Sequence, residues 1–266
     1  MGVVVVAVII VVMVMALATG AIQVDWLSNI VTAVALVAAI YLWAQMYTSK
    51  LVTREEKNRL LGFIPMFISG VLFFGIFQQQ FTVMTIYSDV RLDRHLFGWE
   101  IPPSLVQSIN PIFIVIFSAV FATMWTKLGD RQWSTPVKFG VANIVIGISL
   151  FFFLPYSGAA ANSTPMYVII LILFLFTMAE LLLSPVGNAL ATKVAPVAFP
   201  SRMMAVWMMA VAMGTSLAGS LASFYNPDDA SAENTFFISL GVVSIVLGAI
   251  LLVLSRWVVK KFSTFR

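Results

Sequence analysis

Apolar residues run along this chain in long stretches rather than in the stripes of amphipathic surface helices, and the few charges cluster between those stretches. A membrane-spanning helix needs about 20 mostly apolar residues, and by that measure about eight segments stand out, over residues 3–20, 27–48, 60–87, 104–125, 137–154, 165–190, 203–224 and 235–258. Backbone groups in lipid must be satisfied within the segment, which leaves the helix as the state of runs this long. Turn chemistry separates them, as in "PYSGAAANSTP" after Leu154 and "YNPDDASAEN" after Phe224. The pattern predicts an all-α membrane protein.

Composition agrees. Of 266 residues 61% are hydrophobic and only 10% are charged, with a mean hydropathy of +1.01. Ordinary globular chains carry roughly a quarter charged residues. Cysteine is absent, which excludes disulfides, thiolate metal sites and cysteine nucleophiles. The basic balance does not point to nucleic acid, because the cations fall in short loops where membrane topology accounts for them.

Lys and Arg divide sharply between alternate loops. Thirteen of the 15, from Lys50 to Arg266, fall on one side, and only Arg91 and Arg94 on the other. Positive loops stay cytoplasmic, so both termini are expected in the cytoplasm and the protein in a plasma membrane, the bacterial inner membrane. The opposite loops collect Asp25, Asp89, Asp93, Glu100, Asp228, Asp229 and Glu233. The first segment ends in "ALA" but lacks the basic region of a cleaved signal peptide, and it is expected to remain. It begins one glycine after Met1, as expected of a piece of something larger.

Polar residues inside these segments are the candidates for function, since a central Asp costs about 2.5 to 3.5 kcal/mol on the insertion scale. Glu180 lies in "LFLFTMAELLLSPVG", about 20 Å of helix from Lys193. Pro185, five residues on, is expected to kink the helix one turn below the acid. Glu180 is either functional or a protonated residue packed between helices. In "FFGIFQQQFTVMT", Gln78, Gln79 and Gln80 point about 100° apart on a helix, so at least one is expected to line a polar path; amide bonds between helices are the other reading.

In "IPPSLVQSINPIF", Pro111 is expected to free the carbonyl of Gln107. Asn110 both donates and accepts, which suits a substrate bearing amides or an amine; helix capping is the other reading. Trp207, among methionines and one turn from Arg202, reads by itself as an interfacial anchor. Gly214, Ala218 and Ala222 recur every four residues, as close helix packing requires. Enzyme chemistry has little footing: the single His95 falls in a loop, and no paired metal ligands or His-activated nucleophile occur.

"FFGIFQQQFT", "VQSINPIFI", "AELLLSPVGNALATKVAP" and "MMAVWMM", in that order, resemble the carboxyl-terminal half of the proton-dependent oligopeptide transporters of the major facilitator superfamily. "KLGDR" at Lys127 to Arg131 is similar to a short cytoplasmic loop motif of that superfamily. The resemblance implies two inserted helices over residues 1–49, a basic cytoplasmic loop over 50–59 and a six-helix bundle over 60–266. It implies that Glu180 binds the amino group of a di- or tripeptide with help from Asn110, and that Trp207 and Met208 form an aromatic wall and gate, although relatives commonly carry Phe where Met208 stands.

The resemblance also aligns Gln78 with a position that is often a proton-coupling Glu, and Gln79 with a family Gln. An amide cannot titrate, so coupling there departs from the pattern. Pro185 and Pro111 are implied as break and gating points, and "SPVGNALATK" departs from the usual pattern at Asn188 and Ala189. The family's first-helix acid motif and carboxylate-holding residues have no counterpart here. The implied function is the carboxyl part of a proton-coupled peptide symporter, with peptides, protons, the bilayer and a missing amino-terminal half as partners, and with no cofactor, metal or nucleic acid. The alternatives are a non-transporting truncated membrane protein or assembly partner, or a same-fold carrier of nitrate or amino acids.

Overall fold

Thr53 and Glu56 cap the first bundle helix reciprocally: the Glu56 N–H donates to Thr53 Oγ1 at 3.3 Å, and the Thr53 N–H donates to Glu56 Oε2 at 2.8 Å. This capping box satisfies two of the donors a helix start leaves open. The structure is a computed structural model that describes residues 24–96 and 98–262. The predicted first segment lies outside the described residues.

The helices are α1 (Val24–Thr48), α2 (Arg54–Phe77), α3 (Val83–Val90), α4 (Pro103–Val106), α5 (Ile109–Leu128), α6 (Thr135–Leu150), α7 (Met166–Val194), α8 (Pro200–Ala222) and α9 (Ala230–Phe262). Short 3-10 turns follow α2, α5 and α6. A two-stranded hairpin, β1 (His95–Leu96) against β2 (Trp99–Glu100), lies in the α3–α4 connection. Taken with their 3-10 extensions, seven spans among the described residues are long and apolar enough to cross a membrane, and each overlaps a predicted segment.

Two differences concern boundaries. Arg54, Lys57 and Arg59 belong to the first turns of α2, not to a loop, because the Thr53–Glu56 box starts the helix there. The third predicted segment is one span but two helices: after Phe77 the chain tightens into a 3-10 turn at Gln78–Phe81, and Thr82 (φ −117°, ψ −89°) leaves helical geometry before α3 starts.

The core lies where α2, α6, α7 and α8 meet, around the buried Phe63, Phe73, Phe139, Phe176 and Trp207. Helices approach closely where glycines allow it. A Cβ on Gly140 would stand 2.9 Å from the Gly248 carbonyl, and one on Gly147 would stand 2.7 Å from that of Gly241, so α6 and α9 meet backbone to backbone at two levels. Ser244 Oγ bonds the Asn143 carbonyl between them, at 2.8 Å. In lipid such contact is a main source of association, since there is little hydrophobic drive between helices.

α1 is largely exposed and packs along α8: Ser216 Oγ donates to the Ser28 carbonyl at 2.6 Å, and Arg202 donates to Gln45 Oε1 at 3.0 Å. At the opposite end, Arg91 pairs with the fully buried Glu233 at 3.1 Å, and its guanidinium also donates to the Ala159 and Pro227 carbonyls. The Tyr225 hydroxyl and the Gly158 N–H donate to the same carboxylate. Burial, with the nearby carboxylate, pushes the Tyr225 hydroxyl above its ordinary pKa. This network joins α3, α9 and two connections.

Candidate functional site

Glu180 stands in the middle of α7 and is half-buried. Its Oε2 oxygen is buried and has no hydrogen-bond partner among the described residues. The amide of Asn110, near the start of α5, lies close to this carboxyl group. Asn110 is 3% exposed and donates from Nδ2 to Thr177 Oγ1 at 2.9 Å. Thr177 precedes Glu180 by three residues and so shares its helix face. An acid, an amide and a hydroxyl thus converge between two helices.

Asn110 is therefore not a cap. α5 begins after Ser108, and Asn110 is its second residue, turned toward α7. Nor does Pro111 leave the Gln107 carbonyl free. That oxygen accepts from the Asn110 N–H at 3.3 Å, a three-residue bond that tightens the first turn. The interruption falls instead between α4 and α5, at Gln107 and Ser108. Pro185 lies inside α7, which runs from Met166 to Val194, as membrane helices tolerate where neighbours cover the backbone.

The glutamines separate by role. Gln78 is half-buried, and its Nε2 donates to Thr215 Oγ1 on α8 at 3.1 Å. Gln79 spends its Nε2 on the Gly75 and Ala218 carbonyls and accepts from Thr82 at 2.9 Å, so it closes the helix break and ties it to α8. Ala218 belongs to the small-residue repeat, and its neighbour in that repeat, Gly214, lies against Phe74 and the Val71 carbonyl, as close packing required. Gln80 is fully buried, with both amide atoms unpartnered among the described residues.

Trp207 is not an interfacial anchor. At 1% exposure it fills the core against Phe63, Phe74 and Phe139. Its ring covers Gly187, two residues beyond Pro185, and its indole N–H donates to Asn188 Oδ1 at 2.8 Å. The space over Gly187 pulls the ring inward, so proximity to Arg202 in sequence misleads. Met208, next in sequence, points outward and is exposed.

Two residues escaped the sequence reading, and two more were seen there without the contacts they make. Thr177 stood in plain sight as a hydroxyl one turn from the acid, but isolated threonines in spans are common. Thr85 and Gln107, which bond each other across the α3 and α4 ends, have no spacing that announces them. Asn188 stood out only as a departure from the family pattern. Among the described residues no group of three or more His, Asp or Glu side chains is arranged to hold a metal ion.

A family model described as the POT family matches residues 1–238. The chain is 36% identical over 257 residues to the uncharacterized transporter YclF of Bacillus subtilis (strain 168), covering 96% of this chain and 51% of that protein. It is 35% identical over 246 residues to a di-/tripeptide transporter of Lactococcus lactis subsp. cremoris, covering 90% of this chain and 48% of that one. The crystal structure of a POT family transporter in complex with 5-aminolevulinic acid superposes with a TM-score of 0.84 at 35% identity, over 96% of this chain and 53% of that chain. The chain spans about half the length of the curated relatives it matches.

Proposed function

The chain belongs to the POT family, and we propose that it supplies the carboxyl-terminal half of a proton-coupled symporter of di- and tripeptides. It is a multi-pass membrane protein, with seven spans among its described residues. In this reading it lies in the bacterial inner membrane with both ends cytoplasmic, catalyses no covalent chemistry, and works with an amino-terminal half that holds the peptide's carboxylate.

The observation that carries the proposal is the buried, unpartnered oxygen of Glu180 beside Asn110. A carboxylate accepts several hydrogen bonds, and an ammonium group offers three. In a half-buried setting such a charge-assisted pair is stronger than in water, which lets one contact select an amino terminus whatever the side chains. Asn110 holds the acid's flank while Thr177 fixes the amide's orientation. Gln78 and Met208 line the approach, Gln79 and Trp207 support it from within, and Pro111 and Pro185 mark the helix segments that move. The similarity to a named di-/tripeptide transporter supports this choice of substrate over nitrate or amino acids.

The test joins this chain to the amino-terminal half of the Lactococcus lactis relative and reconstitutes the product in liposomes. An imposed inward proton gradient is expected to drive uptake of a labelled dipeptide, with nitrate inert, and Glu180→Ala is expected to abolish it. Unchanged peptide uptake in Glu180→Ala overturns the role of the acid. Uptake of nitrate instead overturns the substrate.

A further inference from the structure

At the basic end of the bundle, between α5, the 129–131 turn, α6 and α7, lies a cavity of about 770 Å³. Its wall carries Lys138 from α6, Lys193 from α7, and the indoles of Trp125 and Trp133. Lys138 is 7% exposed. Its ammonium donates to Gln132 Oε1 at 2.9 Å and lies 3.9 Å from the centroid of the Trp125 ring. Neither neighbour is an anion, and an ammonium has three donors to satisfy.

Among the described residues no carboxylate lies within ion-pair distance of Lys138 or Lys193. The two lysines are near enough to repel each other. Asp130 also lines the cavity, but it is exposed, where solvent screens it. A buried cation without a counter-charge is costly, so the cavity favours an anion that enters it. The rest of the wall includes Phe121, Leu181 and Val186, which suit a glycerol or acyl portion better than a bare ion. Indoles such as Trp133, half exposed here, favour the headgroup level of a bilayer.

We propose that this cavity binds a phosphate group, supplied by the headgroup of an anionic phospholipid in the leaflet that faces the basic end. Basic pockets between spanning helices on the cytoplasmic side are placed where such lipids concentrate. The site uses none of the side chains proposed to touch a peptide, so its fate is separable from that of the symport reading.

The test takes the purified chain in mixed micelles and titrates phosphatidylglycerol, phosphatidylcholine or inorganic phosphate, reading tryptophan fluorescence and lipid retention by native mass spectrometry. Phosphatidylglycerol is expected to be retained over phosphatidylcholine. Lys138→Gln and Lys193→Gln are each expected to weaken its binding about fivefold. Lys193 is exposed, so its variant tests the site even where Lys138→Gln disturbs folding, and Lys193→Arg is expected to keep binding. A response to inorganic phosphate alone, lost in Lys193→Gln, supports a phosphate site but overturns the lipid as its source. Equal retention of both lipids, or phosphatidylglycerol binding unchanged in Lys193→Gln, overturns the proposal.

Discussion

Asn110 on α5 donates from Nδ2 to Thr177 Oγ1 on α7 at 2.9 Å, one helical turn from Glu180. Hydrogen bonds between membrane helices are worth about 0.6 to 2 kcal/mol. Thr177→Val is therefore expected to lower the stability of the solubilised protein by about 1 kcal/mol. Adding Asn110→Ala is expected to cost less than the two single changes summed, as contacting residues do in a double-mutant cycle. Strict additivity in denaturant titrations would show that the two residues do not act as a pair.

Gln78 bonds Thr215 across to α8 from the turn that breaks the third span. An amide there cannot exchange a proton. In the joined transporter, Gln78→Glu is expected to make peptide uptake depend more steeply on external pH, because a titratable group then faces the half-buried gap between α2 and α8. Identical pH profiles for the two forms would remove this position from proton coupling.

The Trp207 ring occupies the space a Cβ on Gly187 would need. Gly187→Ala is expected to destabilise the bundle by about 1 to 3 kcal/mol, the usual cost of overpacking. Since the overlapping atoms belong to the larger of the two indole rings, adding Trp207→Phe is expected to recover part of that loss. Thermal melting of the three variants checks the order; a double variant less stable than Gly187→Ala contradicts the packing account.

Glu233 is fully buried and holds Arg91, Tyr225 and the Gly158 N–H together. Breaking a buried pair from one side costs about 3 to 5 kcal/mol, because the remaining charge is left in low dielectric. Glu233→Gln is expected to fall in that range, while Arg91→Met with Glu233→Leu is expected to cost less than Glu233→Gln alone. Comparable losses in both would mean that the clamp acts through packing, with charge of little account.

Glu180, Asn110 and the glutamine series were legible as residues because each is a polar group in a run that lipid makes costly for polar groups. Their uses were less legible. Gln79 and Gln78 look equivalent in sequence, yet one is turned into the α8 backbone and the other toward a threonine, because the chain leaves the α-helix at Gln78. Pro185 stands inside α7, which continues to Val194, whereas no proline marks the departure from helical geometry at Thr82.

That the described spans are helices, and that Glu180 is an acid within one of them, follow from local composition, because lipid requires backbone groups to be satisfied within the segment. Which side chains meet depends on contacts between segments far apart in the chain. Trp207 goes inward because Gly187 leaves room for its ring, α6 meets α9 because their glycines face each other, and the oxygen of Glu180 lies beside Asn110 because α5 packs on α7. Those pairings are properties of three-dimensional packing, which neither hydropathy nor periodicity encodes.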